Sequence, residues 1–408
     1  MPADDPQRTA GLPAVRLASD ELSPGPWVFA RQVSPPPPGL ADGALVEVLD
    51  ASGRFVGHAL YNGASDIRLR MIARGRRSDL ERPRAFLLAR LTAADRLRRR
   101  ILRLPETTDA YRVAHAEGDD LPGLIIDRLA STLVCEHHAL GFWRLRAEVE
   151  WALRQLYRDL PDLAVVHRVP RAAAKAEGFE PEEPPGAARE IVIREHGLAF
   201  PVEPGGGLGG GHKTGWFCDQ RENRVAVAGF ARGRDVLDLF CNAGGFAMHA
   251  ARAGARSVHA VDLDEVALER ARRAAQLNGL ELELVHADAF DHLRALQSGE
   301  ARAPRPGLIV VDPHKLIPGR GALETGMRKY LDLNALALAV VRPGGLVATF
   351  SCSGLLAEPA FVGMLFQAAR RAGRGVKLLA QLGAGPDHPQ RPDFSRSRYL
   401  KGAVLAVE

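Results

Sequence analysis

Cysteine is scarce in this chain: four among 408 residues, at positions 135, 218, 241 and 352. They show neither the dense pairing of a secreted disulfide scaffold nor metal-ligand spacing, so a reduced, cytoplasmic setting without a metal ion is expected. Long apolar runs are missing as well. None reaches the roughly 18 uninterrupted apolar residues of a membrane span. The first residues, MPADDPQRTAGLP, lack the charged-then-apolar order of a signal peptide. Two familiar glycine signatures are also absent. Gly205 to Gly211 lead to Lys213 only through His212, whereas a Walker loop sets lysine directly after glycine, so a lid or strand connection is expected there. In DLFCNAGGF (238–246), Asn242 stands where a dinucleotide fingerprint would put its first glycine.

What is present is an ordinary globular composition, 46% hydrophobic, in a chain too long for one core. Two or three domains are expected. The net charge of +5 is unevenly spread. Between Arg68 and Arg103 thirteen arginines face only Asp79, Glu81 and Asp95, a local excess of ten, so the remainder of the chain is net acidic. Such a concentration suits a phosphate backbone, with Arg68, Arg70, Arg98 and Arg99 as candidate contacts. The alternative is a solvated helix face, with Leu87, Leu91, Ala94, Leu97 and Ile101 turned inward at helical spacing.

Residues 1–13 are expected to be disordered. From 14 to 77 short alternating runs (ALVEVLD, FVGHALYN, IRLRMIAR) predict a small barrel or sandwich, with Pro35 to Pro38 in a surface loop. From 78 to 198 an arginine-rich helix, three strands and the amphipathic FWRLRAEVEWALRQLY predict an α+β region. Within it, 171–190 reads as an exposed connection. From 199 to 408 strands alternate with helices, the pattern of a parallel α/β sheet.

Four aspartates punctuate that last region at intervals of 24, 26 and 24 residues: Asp238, Asp262, Asp288 and Asp312. Each follows or ends an apolar run (DVLD, SVHAVD, ELVHAD, LIVVD), and the interval is about one strand, one helix and two turns. They should therefore line the carboxyl edge of one sheet, where doubly wound folds bind ligands. The small-residue turn after Asp238 lets backbone approach a nucleoside cofactor closely. Asp262 is placed to accept from ribose hydroxyls and Asp288 from an adenine amino group, while helix N-capping is the plainer reading of any single aspartate. Cys352 lies in a Ser-Cys-Ser-Gly turn after the fifth apolar strand, beside Asp312, which makes it a nucleophile candidate. Cys218 and Cys241 are weaker ones.

These residues carry a resemblance over nearly the whole chain. PGPWVFARQV with GHALYNGASDIRLRMI, AEGDDLPGLIIDR, GHKTGWFCDQRENR, DLFCNAGGF, VVDPHKL, RKYLDLNALAL, FSCSG, DHP and YLKG together resemble the RlmI-type large-subunit rRNA cytosine-C5 methyltransferases. The resemblance implies a PUA-like RNA-binding domain (14–77), a central α+β domain (78–198) and a Rossmann-like class I methyltransferase domain (199–408). It implies S-adenosylmethionine as cofactor and S-adenosylhomocysteine as product. Asp238, Phe240, Asn242, Ala243, Gly244 and Gly245 would hold the methionine end, Asp262 and Leu263 the ribose, Asp288 and Ala289 the adenine. Cys352 would attack cytosine C6, Asp312 would steady the base near N3, and Lys315 would meet RNA. The expected partner is large-subunit rRNA or an assembling ribosomal particle, with a homodimer allowed for. One departure stands out: the family's Asp-Pro-Pro-Lys-Phe is Asp-Pro-His-Lys-Leu here, so His314 and Leu316 replace a proline and an aromatic ring. The other readings are methylation of a purine or exocyclic amine, and a non-catalytic RNA-binding assembly factor. A nicotinamide dehydrogenase is disfavoured by Asn242.

Overall fold

The computed structural model describes residues 11–21, 24–75, 82–181, 189–206, 214–300 and 305–408. Four sheets organise them. The expectations for residues 1–10 and for most of the glycine stretch, 207–213, lie outside these residues, as does much of 171–190.

The N-terminal sheet has five strands, in the order Ala14–Arg16, Leu45–Leu49, Phe55–Tyr61, Ile67–Arg74, Trp27–Phe29. Its alternating runs bury Val15, Val28, Val46, Val48, Leu69 and Met71 as one core. The prolines at 35–38 lie between strands, where the missing amide hydrogens cost nothing.

The central sheet joins Ala110–His115, Leu124–Leu129, Thr132–His137 and Ala164–Arg168. Helices Pro83–Arg96 and Arg146–Leu156 supply Leu87, Leu91, Val149 and Leu153 to its core. Beyond Arg96 the expected helical phase fails. The chain makes a π turn over Leu97–Ile101, closed by Leu102 N–H donating to the Leu97 carbonyl at 2.9 Å. One extra residue in the turn rotates the following side chains, so Ile101 is 65% exposed and Arg98 is fully buried instead. A second correction concerns 171–190. Residues Arg171–Glu177 form a helix whose Ala173, Ala174 and Glu177 are buried, because small alanines pack closely without large apolar side chains.

A hairpin, Ile191–Glu195 with Leu198–Val202, crosses the division expected at residue 198. Its Ile193, Phe200 and Val202 share a core with Ala110 and Val134 of the central sheet and with Met248 and Ala274 of the last region.

The last sheet holds seven strands: β1 (Asp235–Leu239), β2 (Ser257–Asp262), β3 (Glu283–His286), β4 (Leu308–Val311), β5 (Leu346–Ser351), β6 (Val376–Gly383) and β7 (Lys401–Val407). Their spatial order is β3-β2-β1-β4-β5-β7-β6, parallel except for β7, which runs antiparallel to both neighbours. Helices cover both faces, so β4 is apolar and β-branched throughout (LIVV, every residue buried). Odd and even positions of β1 part company. Leu237 and Leu239 face the helices Ala289–Ser298, Leu323–Val340 and Glu358–Arg371. Val236 packs on the other side with Phe246, Ala247 and Leu268. Helix Glu265–Asn278 shows how locally these elements are specified. Asp264 accepts from the amides of Val266 and Ala267 at its start, and Gly279 ends it at φ +60°.

Candidate active site

The chain leaves β1 toward β2 on one side and β4 on the other, which makes the carboxyl edge between β1 and β4 a topological switch point. Asp238 is fully buried there. One carboxylate oxygen accepts from the Ala247 amide at 2.9 Å, while Oδ1 is buried without a hydrogen-bond partner. Burial pushes this carboxyl up to about 8; the Ala247 amide opposes the rise, and the nearby Asp312 and Asp262 add to it. The turn that follows is conformationally costly. Phe240 (φ +60°) and Asn242 (φ +49°) are left-handed without being glycine, and Gly244 (φ +77°) opens helix Gly245–Arg252. A Cβ on Gly245 would come within 2.6 Å of Arg224 Nε, so the small residue is sterically required. Ala243 is buried, and Asn242 N–H donates to Asp262 at 2.8 Å, tying this turn to the end of β2.

Asp262 also accepts from the Asp264 amide at 3.0 Å, which fixes its carboxylate at the edge, next to Leu263, 64% exposed. Asp288 caps helix Ala289–Ser298, accepting from Phe290 and Asp291 amides through one oxygen, and Ala289 is buried. Asp238, with one oxygen unsatisfied and Asp312 and Asp262 near enough to act on it, suits a cationic guest. A sulfonium cofactor with an ammonium tail has that chemistry.

Across the switch point, Asp312 follows Val311, whose Cα partner on β5 is Thr349. Cys352 lies three residues beyond Thr349, partly exposed. Its flanks are held by a network that the sequence did not announce. Tyr330 Oη lies 2.9 Å from Ser351 Oγ and 3.1 Å from Ser353 Oγ, and the Ile317 amide donates to Ser353 Oγ at 3.3 Å. Lys401, at the start of β7, donates to the carbonyl of Ser353. Both Tyr330 and Lys401 belong to motifs noted above (RKYLDL, YLKG) without a role. His314 and Lys315 are exposed, and the His314 ring meets Phe240 edge-on at 6.4 Å between centroids. The remaining cysteines are buried, and burial pushes each thiol up, which makes Cys218 and Cys241 unsuitable nucleophiles.

The four arginines proposed for RNA do not act together. Arg98 is fully buried, paired with Asp119 at 2.6 Å and donating to the Asp387 carbonyl at 2.6 Å. Arg70 is buried against Glu177 at 2.9 Å. Both serve packing, because a guanidinium held by carboxylates inside the protein cannot reach a phosphate. Arg68 is half-buried and donates to the Gly63 carbonyl. Arg99 is exposed near Asp95, and Arg82, Arg84, Arg96, Arg100 and Arg103 are exposed with it. Among the described residues, no helix is long and apolar enough to cross a membrane, and no His, Cys, Asp or Glu group is arranged for a metal ion.

A doubly wound sheet with this switch-point turn is the architecture of enzymes that bind a nucleoside-containing cofactor. Comparison with known proteins narrows the class. Residues 153–402 match the S-adenosylmethionine-dependent methyltransferase family, and residues 23–74 match a PUA-like domain. Ribosomal RNA large subunit methyltransferase I of Pseudoalteromonas atlantica is 33% identical over 94% of this chain and 95% of its own. That of Erwinia tasmaniensis is 34% identical over 94% and 95%. A protein assigned as a SAM-dependent methyltransferase from Streptococcus mutans shares the fold, with a TM-score of 0.76 at 19% identity over 97% of this chain and 100% of that one. Another structure assigned as a methyltransferase, complexed with S-adenosylhomocysteine, gives 0.75 at 19% over 97% and 99%. The chain belongs to the ribosomal RNA large subunit methyltransferase I family and is an S-adenosylmethionine-dependent methyltransferase.

Proposed function

We propose that this protein methylates C5 of a cytosine in large-subunit rRNA through a covalent adduct on Cys352. The observation that carries the reading is the position of Cys352. It is the one partly exposed cysteine of four, on the turn after β5, one strand from Asp312 and on the same edge as Asp238. The names of the relatives supply the RNA, and the exposed arginines after residue 81 supply a surface for its phosphates. Asp238 and 240–245 would hold the methionine end of the cofactor, Asp262 and Leu263 its ribose, Asp288 and Ala289 its adenine. With that assignment go an N-terminal RNA-binding unit at 14–77, a central unit from 78 and a methyltransferase unit to 408, the last two joined through the hairpin that spans residue 198.

Cys352, as thiolate, adds to C6, forming the Sγ–C6 bond and moving the C5–C6 electron pair toward N3. Asp312, in its acid form, donates a hydrogen bond to N3 and steadies the charge. Bound S-adenosylmethionine supplies an electrophilic methyl group to the C5 so activated. Removal of the C5 proton by a base restores the double bond and expels the Cys352 thiolate. A paired or stacked target must first be turned out, at a cost of about a few kcal/mol. The direct test is to incubate the enzyme and cofactor with rRNA from cells lacking the gene and identify nucleosides by mass spectrometry. We expect 5-methylcytidine; a methylated guanosine or adenosine instead would overturn the cytosine reading and favour attack by an amine or ring nitrogen.

Asp238 gives a second expectation. With its carboxyl raised to about 8, it keeps its proton at pH 7 in the cofactor-free protein. Pairing with the cofactor's ammonium requires the carboxylate, so the proton must leave on binding. Affinity should therefore rise with pH up to about 8 and level off above it, with a limiting slope of about tenfold per unit. Calorimetry in buffers of different ionisation enthalpy should find about one proton released per cofactor bound at pH 7. Asp238→Asn should abolish the release. A release of zero in the unaltered enzyme would remove Asp238 from this role.

A further inference from the structure

We infer that Lys401 is a positioning residue for Cys352: its ammonium, buried against the turn that carries the thiol, favours the sulfur as thiolate. The inference rests on the reading of Cys352 as nucleophile and deepens it. Lys401 opens β7, and its Cα partner on β5 is Ser351, the residue before Cys352. It is only 4% exposed. Its Nζ donates to the carbonyls of Ser353 at 2.7 Å and Tyr399 at 2.8 Å, which accounts for two of its three protons.

Carbonyls satisfy hydrogen bonds but carry no countercharge, and a lysine is rarely buried without one. Burial duly brings Lys401 down to about 8. The strongest influence that supports its charge is Cys352, ahead of Glu358. Glu358 is itself engaged by Arg398 at 2.7 Å. Lys315 opposes the charge of Lys401. A buried cation held against the turn that carries a cysteine is an arrangement that activates thiols elsewhere in protein chemistry. In the proposed step the S–H bond breaks, its proton leaves to solvent, the electron pair stays on sulfur, and Lys401 keeps its own protons.

The test is the pH dependence of Cys352 alkylation by iodoacetamide in the full-length protein, read by intact mass. The other three cysteines are buried with raised thiols, so the label reports Cys352. In the unaltered enzyme the midpoint should fall below the roughly 8.5 of an unperturbed thiol. Lys401→Gln keeps amide donors for the two carbonyls but removes the charge, and should slow alkylation at pH 7 by about tenfold with the midpoint moved up by about one unit. Lys401→Arg should restore most of the difference. Retained cofactor binding by calorimetry shows that the Gln variant is folded. A midpoint at or above the unperturbed value in the unaltered enzyme overturns the inference whatever the variants do. So does an unchanged profile in Lys401→Gln, or an Arg variant as slow as the Gln one. None of these outcomes touches the role of Cys352 on RNA, which stands or falls on Cys352→Ala turnover.

Discussion

Cys352→Ala is expected to lower methyl transfer to RNA by at least about a thousandfold while leaving S-adenosylmethionine affinity within about twofold. The two halves of the expectation come from the two sides of the switch point. Every atom assigned to the cofactor lies on β1 to β3 and their turns, whereas Cys352 follows β5. Cytosine C5 is a poor nucleophile until C6 is attacked, so removal of the sulfur should act on the rate and not on cofactor binding. Turnover of labelled methyl groups and calorimetry check the two parts separately. RNA containing 5-fluorocytidine adds a third measurement. Fluorine replaces the proton that must leave, so the unaltered enzyme should be trapped as a denaturant-stable adduct that the alanine variant cannot form. Full turnover in Cys352→Ala would remove the covalent mechanism and leave amine or purine methylation as the reading.

The carboxyl edge was legible because parallel sheets impose it. A βα unit has a nearly fixed length, so carboxylates that end successive strands must recur at that period and land on one edge. Asp238, Asp262, Asp288 and Asp312 do so, and the apolar run LIVV is what a strand covered on both faces requires. What stayed hidden depends on partners distant in sequence or on one-residue phase changes. Arg98 reads as the outer face of a helix until the π turn rotates it inward. Arg70 reads as a surface cation until it meets Glu177, 107 residues away, at the end of a helix built from alanines. Tyr330 and Lys401 sit in recognisable motifs. Their contact with the Cys352 turn follows from helix packing and from the β5–β7 register, which no local pattern encodes.

The same distinction assigns a role to Asp387, which the sequence offered only as part of a short DHP motif. The segment after β6 folds back over the other regions. Phe394 packs on Trp27 at 4.9 Å between ring centroids, and Arg391 pairs with Asp120. Asp387 lies fully buried between them. Its side chain accepts from Arg221 Nη1 at 2.9 Å, the Arg112 amide at 3.0 Å and His388 Nδ1 at 3.0 Å, and its carbonyl takes the buried Arg98. These contacts hold its carboxyl well below the usual carboxylate range: burial resists, and His388 and Arg221 outweigh it. Asp387→Ala should therefore remove the buried carboxylate partner of Arg221, leaving it only the part-exposed Glu222 at 3.1 Å, and cost about 3 kcal/mol. The exposed pair Glu324–Arg328 is a suitable contrast, since its loss should change stability by less than about 0.5 kcal/mol. Denaturant unfolding of both variants against the unaltered protein separates the two cases. The pH dependence has a definite sign. A carboxyl depressed in the folded state adds stability that is complete above its unfolded value, near 3.9, and disappears as pH falls toward the folded one. The deficit of Asp387→Ala should thus be full at pH 7 and shrink below about pH 4. A deficit that is equal at both ends, or no larger than that of the surface pair, would show that Asp387 does not anchor the three regions through its charge.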